Sequence, residues 1–389
     1  MDVLISGAGI AGLTVAHWLR RYGFTATVVE RAPSLVVGGY KIDVRGSALE
    51  VLRRTGIHGA VRDAATHMKG ALLVDRDGTV INRMTGADFG HRLDDDVEIV
   101  RGRLCQILLD ACDGVEIRYG DVITAIDQGD NGAQVTFRDG GTQRFDLVVG
   151  ADGLHSNVRQ IVFGPEEDLL RDLGMYLCVF SVPNYLNLDR MEVQYSEIGR
   201  VAALWSTREE ADAKACFGFA ARTPVDVRDR AQQEETIARV YAGIGWEVPK
   251  LLELMPTADD WYFDIAAQVD LPEWTRGRVA LAGDAGYCAS PMSGQGSSLA
   301  LVGAYVLAGE LAAAKGDYRA AFAEYSRVMR PFVEVNQEQG QRSAAFMTSG
   351  TDEGATALSG ADVEATIDAT TDRIAVAANA ITLRGYLTR

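Results

Sequence analysis

Residues 2–12 read Asp2-Val3-Leu4-Ile5-Ser6-Gly7-Ala8-Gly9-Ile10-Ala11-Gly12. The apolar run predicts a short buried strand over 2–6. Residues 12–22 carry Leu13, Ala16, Leu19 and Arg20 at spacings of three and four, which predicts a helix. Between them stands Gly7-x-Gly9-x-x-Gly12. In a strand–turn–helix unit the first glycine permits the tight turn. The second lets a pyrophosphate approach, and the third lets helix and strand pack closely. The N–H groups and positive dipole end of the helix then face the anion. The next apolar run, Thr27-Val28-Val29, ends at Glu30 and Arg31. An acid at this spacing is placed to hydrogen-bond a ribose diol. The motif predicts a dinucleotide site and does not by itself distinguish one dinucleotide from another.

Two further segments follow the same pattern. Phe145-Asp146-Leu147-Val148-Val149 runs into Gly150-Ala151-Asp152-Gly153. Val279-Ala280-Leu281-Ala282 runs into Gly283-Asp284-Ala285-Gly286-Tyr287-Cys288-Ala289-Ser290-Pro291-Met292-Ser293-Gly294-Gln295-Gly296-Ser297-Ser298, and a long apolar helix pattern follows from Leu299. Buried strands that alternate with helices predict a parallel sheet covered on both faces. A carboxylate and a row of free N–H groups in the 283–298 segment suit one elongated ligand shared with Gly7–Gly12.

Away from these turns, helices are predicted over 48–54 and 57–65, with Gly56 between them, and over 101–111, 231–242 and 318–333. A hairpin is predicted over 71–83, turning at Asp77-Gly78. Strands are expected at about 115–127, 133–138 and 143–149. Residues 175–222 alternate, as in Met191-Glu192-Val193-Gln194-Tyr195 and Cys216-Phe217-Gly218-Phe219, and predict a separate antiparallel sheet. Val363, Ile367, Ile374, Ala378 and Ile381 form a helical stripe near the C-terminal end.

The chain has 389 residues, 38 basic against 54 acidic, and a formal charge of −16. That balance argues against nucleic acid and against an anionic membrane surface. Five cysteines without a CxxC pair make neither a disulfide framework nor a zinc site and point to a reducing compartment. Residues 1–19 lack the basic start of a signal peptide, and no uncharged run reaches membrane-spanning length, so a cytoplasmic location is expected. No GxSxG elbow is present, and the histidines at 17, 58, 67, 91 and 155 have no metal-ligand spacing. His17 reads as a packed residue and Cys288 as a small buried filler.

Three elements together resemble the group A FAD-dependent aromatic hydroxylases: the N-terminal GxGxxG, the Gly150-Ala151-Asp152-Gly153-x-x-Ser156-x-x-Arg159 segment, and the Gly283-Asp284…Pro291…Gly294-x-Gly296 run. The resemblance covers about residues 1–330. It implies an α/β fold with a Rossmann-like FAD-binding domain of the GR2 type, built from 1–70, 98–172 and 270–330. An antiparallel-sheet substrate domain would come from 71–97 and 173–269, and a helical extension from 331–389. By the same resemblance the cofactor-binding residues are Gly7, Gly9, Ala11, Gly12, Glu30, Arg31, Arg101, Asp152, Gly283 and Asp284, with Pro291, Gly294, Gln295, Gly296 and Ser297 along the isoalloxazine ring. Asp152 would also serve the approach of NADPH.

A narrower likeness is to the tetracycline-inactivating flavin monooxygenases. It rests on Gly38-Gly39-Tyr40-Lys41-Ile42-Asp43-Val44-Arg45-Gly46, Val97-Glu98-Ile99-Val100-Arg101-Gly102, Pro183-Asn184-Tyr185-Leu186-Asn187-Leu188 and 290–296. It implies that Asp43 and Arg45 lie near flavin or substrate and that the C-terminal helices close the substrate site. The chain departs from the wider family at Tyr287, where His is common, at Ser297 and Ser298, where Asn is common, and at Arg103, where an acid is common.

The implied chemistry is that of a monooxygenase that uses FAD, NADPH and O2. A flavin C4a-hydroperoxide would transfer one oxygen to a phenolic or enolic polycyclic aromatic substrate, with no protein nucleophile. Phe180, Met191, Gln194, Phe217 and Phe219 of the middle sheet are the substrate-contact candidates. Tetracycline inactivation is the leading reading and biosynthetic hydroxylation of an aromatic polyketide the alternative. A flavin reductase or dehydrogenase and a drug-sequestering binding protein are the readings from other classes. A monomer is expected.

Overall fold

The computed structural model describes residues 1–36, 38–93, 95–207, 211–221, 223–348 and 370–386. Its first sheet has six strands in the order Thr275–Arg276, Val279–Leu281, Leu147–Gly150, Asp2–Ser6, Thr25–Glu30 and Glu116–Tyr119. All neighbours are parallel except the outermost pair of Thr275–Arg276 with Val279–Leu281. The three segments that the sequence marks as strand-to-glycine turns are thus adjacent, with Asp2–Ser6 and Val279–Leu281 flanking Leu147–Gly150. Leu4, Ile5, Leu147, Val148, Val149, Val279, Ala280 and Leu281 are all fully buried, as continuous apolar strands covered on both faces must be.

Helices Ile10–Arg21 and Gly296–Ala313 pack against each other beside this sheet. Among the described residues Gly296–Ala313 is the one helix long and apolar enough to cross a membrane, and 78% of it is buried inside the protein. Every residue from Ser298 to Leu311 is buried, so its all-round apolarity belongs to a core helix.

Two expected strands are each divided. The 115–127 run becomes Glu116–Tyr119, at the edge of the parallel sheet, and Ile123–Gly129, in a separate three-stranded antiparallel sheet with Gly132–Phe137 and Thr142–Phe145. Gly120, at φ 76°, turns the chain between them. The 143–149 run divides at Asp146, so that Phe145 ends one sheet and Leu147 begins the other.

A seven-stranded sheet follows the order Trp261–Val269, Leu170–Val182, Ala213–Ala220, Arg200–Trp205, Met191–Glu197, Gly70–Val74 and Val80–Thr85. The hairpin read at 71–83 forms its far edge. Its junction with the middle strands, Gly70–Val74 against Met191–Glu197, is parallel, in an otherwise antiparallel sheet. Helices Arg230–Val240 and Val248–Leu254 cover one face through Ile237, Val248 and Leu251. The other face turns toward the first sheet.

Helix Tyr318–Thr348 continues through Pro331 and past the expected end at 333. Residues 370–378 are helical, and 381–386 follow without regular secondary structure. Ile374 and Ala378 of the predicted stripe are buried, while Val363 and Ile367 lie outside the described residues. This tail docks on helices Ser47–Thr55 and Gly296–Ala313: Ser47 Oγ donates to Ile381 O (3.1 Å), Tyr305 Oη to Arg384 O (2.8 Å) and Tyr386 Oη to Glu310 Oε1 (2.7 Å).

Candidate functional site

The three glycine turns meet at the ends of their strands. Gly7 has φ 100°, and a β-carbon on it would stand 2.5 Å from Ala151 O of the second turn. A β-carbon on Gly12 would stand 1.9 Å from Gly7 O, and one on Gly283 would stand 2.8 Å from the Ala11 methyl. Ala11 and Gly283 are therefore the contact between the first turn and the last.

Glu30 straps the first turn in place. Its Oε2 accepts from Ala8 N and its Oε1 from Ala32 N, both at 2.8 Å. Each oxygen keeps lone pairs for a further donor. Arg31 is exposed at the rim.

Gly9 caps helix Ile10–Arg21 without any side-chain cap, so the N–H groups of the first turn are open to a ligand. A β-carbon on Gly9 would lie 3.7 Å from Arg101 Nη2. The Arg101 guanidinium donates no hydrogen bond to another of the described residues. Burial works against its charge, but Cys105, Tyr40 and Asp284 outweigh that and hold its pKa above the ordinary value.

The last turn supplies a second open helix start. Gln295 caps Gly296–Ala313 without a side-chain hydrogen bond, and Ser297 is half-buried in its first turn. A β-carbon on Gly296 would lie 3.9 Å from Asp284 Oδ1. Burial pushes the Asp284 carboxyl pKa up, and the Arg101 charge pulls against it. Pro291 is exposed, and Gly294, at φ 64°, has open space where a side chain would stand. Gln295 itself is buried. Its Nε2 donates to Ile374 O of the tail at 3.5 Å, and its Oε1 has no partner.

Other predicted residues serve neighbouring structure. Asp152 Oδ2 accepts from Asn157 N (3.0 Å), Val158 N (3.1 Å) and Ser6 Oγ (3.3 Å), and its Oδ1 from Ser156 Oγ (2.5 Å). It holds the second turn and the start of helix Asn157–Phe163. Arg45 is buried: Nη1 donates to His91 O (2.6 Å), and Nη2 to Gly90 O (2.5 Å) and Asp43 Oδ2 (2.7 Å). Asp43 also pairs with Arg92 at 3.2 Å. Asp43 and Arg45 therefore build the wall beside the site as a buried ion network. Tyr287, where the chain departs from the wider family, points into the core, where its hydroxyl receives the Tyr325 hydroxyl at 3.0 Å and its ring packs on Trp274. Ser298 accepts Arg45 N at 3.2 Å and closes the same wall. Cys288 and His17 are packed, as read: the His17 Nδ1 lies 2.8 Å from Ala111 O, and burial pushes the Cys288 thiol pKa well up.

Strand alternation places the aromatic substrate candidates in the core. Phe180, Phe217 and Phe219 have no exposed surface and pack with Tyr176, Tyr241 and Trp261 under helix Arg230–Val240. Met191 shares their side of its strand and lies beside Gly70. Gln194 lies on the opposite face, where the ladder lines it up with Ala203, Cys216, Val179 and Tyr262. That face meets the Tyr40–Lys41 segment: Tyr262 meets the Tyr40 ring, Glu192 pairs with Lys41 at 2.6 Å, and Lys41 lies over the Trp205 ring. The residue types alone carried no signal for this row, because only pairing register sets which side chains share a face.

Two uncapped helix starts with Arg101 between them present a positive field to a pyrophosphate, and Glu30 and Asp284 offer carboxylates to sugar hydroxyls. A long dinucleotide with a polyol linker fits this donor set.

A model of the FAD binding domain matches residues 1–337. A flavin-dependent monooxygenase of Legionella longbeachae serogroup 1 (strain NSW150) is 40% identical over 341 residues, 87% of this chain and 88% of that protein. The crystal structure of tetracycline destructase Tet(55) superposes with a TM-score of 0.90 at 39% identity, covering 99% of this chain and 98% of the other. That of tetracycline destructase Tet(51) gives 0.88 at 39% identity, covering 99% of each.

Proposed function

The chain belongs to the FAD binding domain family and is an FAD-dependent monooxygenase, and from that premise we propose that it inactivates a tetracycline-type antibiotic by inserting one oxygen atom of O2. NADPH supplies the electrons, and the protein acts as a cytoplasmic monomer. The observation that carries the substrate class is the 39% identity to Tet(55) across 99% of the chain, which includes the C-terminal segment.

When bound, the flavin supplies the activation of O2, and the protein residues bind, orient and exclude water. In this reading the Gly7–Gly12 turn and Arg101 hold the pyrophosphate, Glu30 the adenosine ribose and Asp284 the ribityl hydroxyls. Pro291, Gly294, Gln295, Gly296 and Ser297 lie along the ring. The N–H groups at the start of Gly296–Ala313 favour negative charge there. The substrate lies on the sheet face of Gln194, Ala203, Cys216 and Val179. The tail closes over it, anchored through Gln295 to Ile374 and through His91 Nδ1 to Thr371 Oγ1 at 2.9 Å.

The test is incubation of the holoenzyme with NADPH, O2 and tetracycline. Drug-dependent NADPH oxidation and a product heavier by one oxygen atom are expected. Drug recovered unchanged in mass, from protein that carries flavin, overturns the substrate assignment.

A further inference from the structure

Tyr40 and Tyr262 come from different domains and meet at the seam between them. Their ring centroids are 5.1 Å apart and their planes are inclined by 50°. Tyr40 is fixed by its backbone: its carbonyl accepts Arg101 N at 3.0 Å, and Gly39 before it packs on the Arg101 side chain. Tyr262 is fixed by its strand. Its neighbour Phe263 lies in the aromatic core on the far face, so Tyr262 stands on the near face, in the row of Val179, Cys216 and Gln194.

Both phenols also lie within the electrostatic reach of Asp284, and Tyr40 within that of Arg101. These are two of the charged groups of the cofactor site. Both rings are half-buried. An amphipathic ring pair of this kind offers an apolar face and a polar tip together. Through Tyr262 the pair also stands in the half-buried sheet row of Val179, Cys216 and Gln194, so it links that row to the surroundings of Asp284.

We propose that Tyr40 and Tyr262 form an aromatic clasp that contacts the flavin ring system and positions it between the glycine turns and the substrate face. The inference rests on the FAD reading above and assigns positioning residues within it. It also gives the seam a reason to carry two tyrosines: each donates a ring from its own domain, so the clasp is complete only when the domains are docked.

The experiment uses holoenzyme and the four variants Tyr40→Phe, Tyr262→Phe, Tyr40→Leu and Tyr262→Leu. Phenols in contact with flavin quench its fluorescence by electron transfer, and Phe does not. Each Phe variant is expected to keep bound FAD and to slow the fast picosecond decay of flavin fluorescence, one phenol quencher remaining, and the double variant Tyr40→Phe with Tyr262→Phe to lose it. The Leu variants are expected also to bind FAD about three- to ten-fold more weakly, with a shifted flavin absorption band. If a Leu variant fails to fold, the Phe pair decides. Wild-type protein that binds FAD but shows no fast decay, or Phe variants whose decay matches wild type, overturn the clasp alone. Wild-type protein that binds no FAD overturns the FAD reading and the clasp with it.

Discussion

His155 stands between two carboxylates from distant parts of the chain, with Nδ1 2.8 Å from Glu166 Oε1 and Nε2 3.0 Å from Asp264 Oδ1. Both ring nitrogens must donate to satisfy both acceptors, which requires the imidazolium. Asp264 lies on the seven-stranded sheet and His155 just after the second glycine turn, so the bridge joins that sheet to the parallel one. Arg159 pairs with the other oxygen of Glu166 at 3.1 Å and braces it.

The hydrogen bond to Asp264 is the main cause that raises the His155 pKa above its ordinary 6.5, against an opposing effect of burial. A raised folded-state value means that the stabilisation is complete below pH 6.5 and is lost as pH rises through the folded pKa. His155→Gln should cost about 1–3 kcal/mol at pH 6 and progressively less at higher pH. Melting curves at several pH values, with an NMR titration of the ring, check this. A penalty that does not change with pH overturns it.

Arg101→Gln removes the cation beside Gly9 with little change of shape. FAD affinity should fall about ten- to hundred-fold, the worth of a charge-assisted hydrogen bond to phosphate. Thermal stability of the apoprotein should fall slightly at most, because the surroundings that hold the Arg101 pKa above its ordinary value favour its charge in the folded protein. Flavin titration of apoprotein, paired with its melting temperature, reads both effects.

Asp284→Ala should give folded protein that purifies with little or no flavin. The carboxyl is half-buried beside Gly296 and Arg101, and no other described carboxylate replaces it at that turn. Full yellow colour and full activity in the variant would sink the ribityl assignment.

Gly12→Ala asks for a methyl 1.9 Å from the Gly7 carbonyl oxygen, with backbone on both sides. The turn must open, at a cost of about 3 kcal/mol or more. Low soluble yield or a melting temperature many degrees lower is expected, with loss of FAD following from it.

Phe217→Ala and Gln194→Ala separate the two faces of the substrate sheet. Phe217 is fully buried under Tyr241, so its truncation should cost about 3–5 kcal/mol and leave KM for the drug near wild type in the folded fraction. Gln194→Ala should leave stability nearly unchanged and raise KM. Urea melts alongside steady-state kinetics distinguish the pair, and the reverse pattern would restore the aromatic face as the substrate site.

What the sequence determined by itself was local. Glycines at 7, 9 and 12 after an apolar strand, the acid at 30, and the Gly-Asp turns at 152 and 284 fixed a dinucleotide fold, because each meets a steric or hydrogen-bonding demand within a few residues of itself. The tertiary structure decided which side chains face one another. Strand alternation is visible in sequence, but which face is covered depends on where helix Arg230–Val240 packs. That packing buried Phe217 and left the row of Gln194, Cys216 and Tyr262 half-buried on the other face. The Ala11–Gly283 contact, the Arg45 network and the bridges from His155 and Tyr40 join segments that lie far apart in the chain. Such pairings depend on sheet order and register, which are set by the packed core as a whole and not by any one stretch of residues.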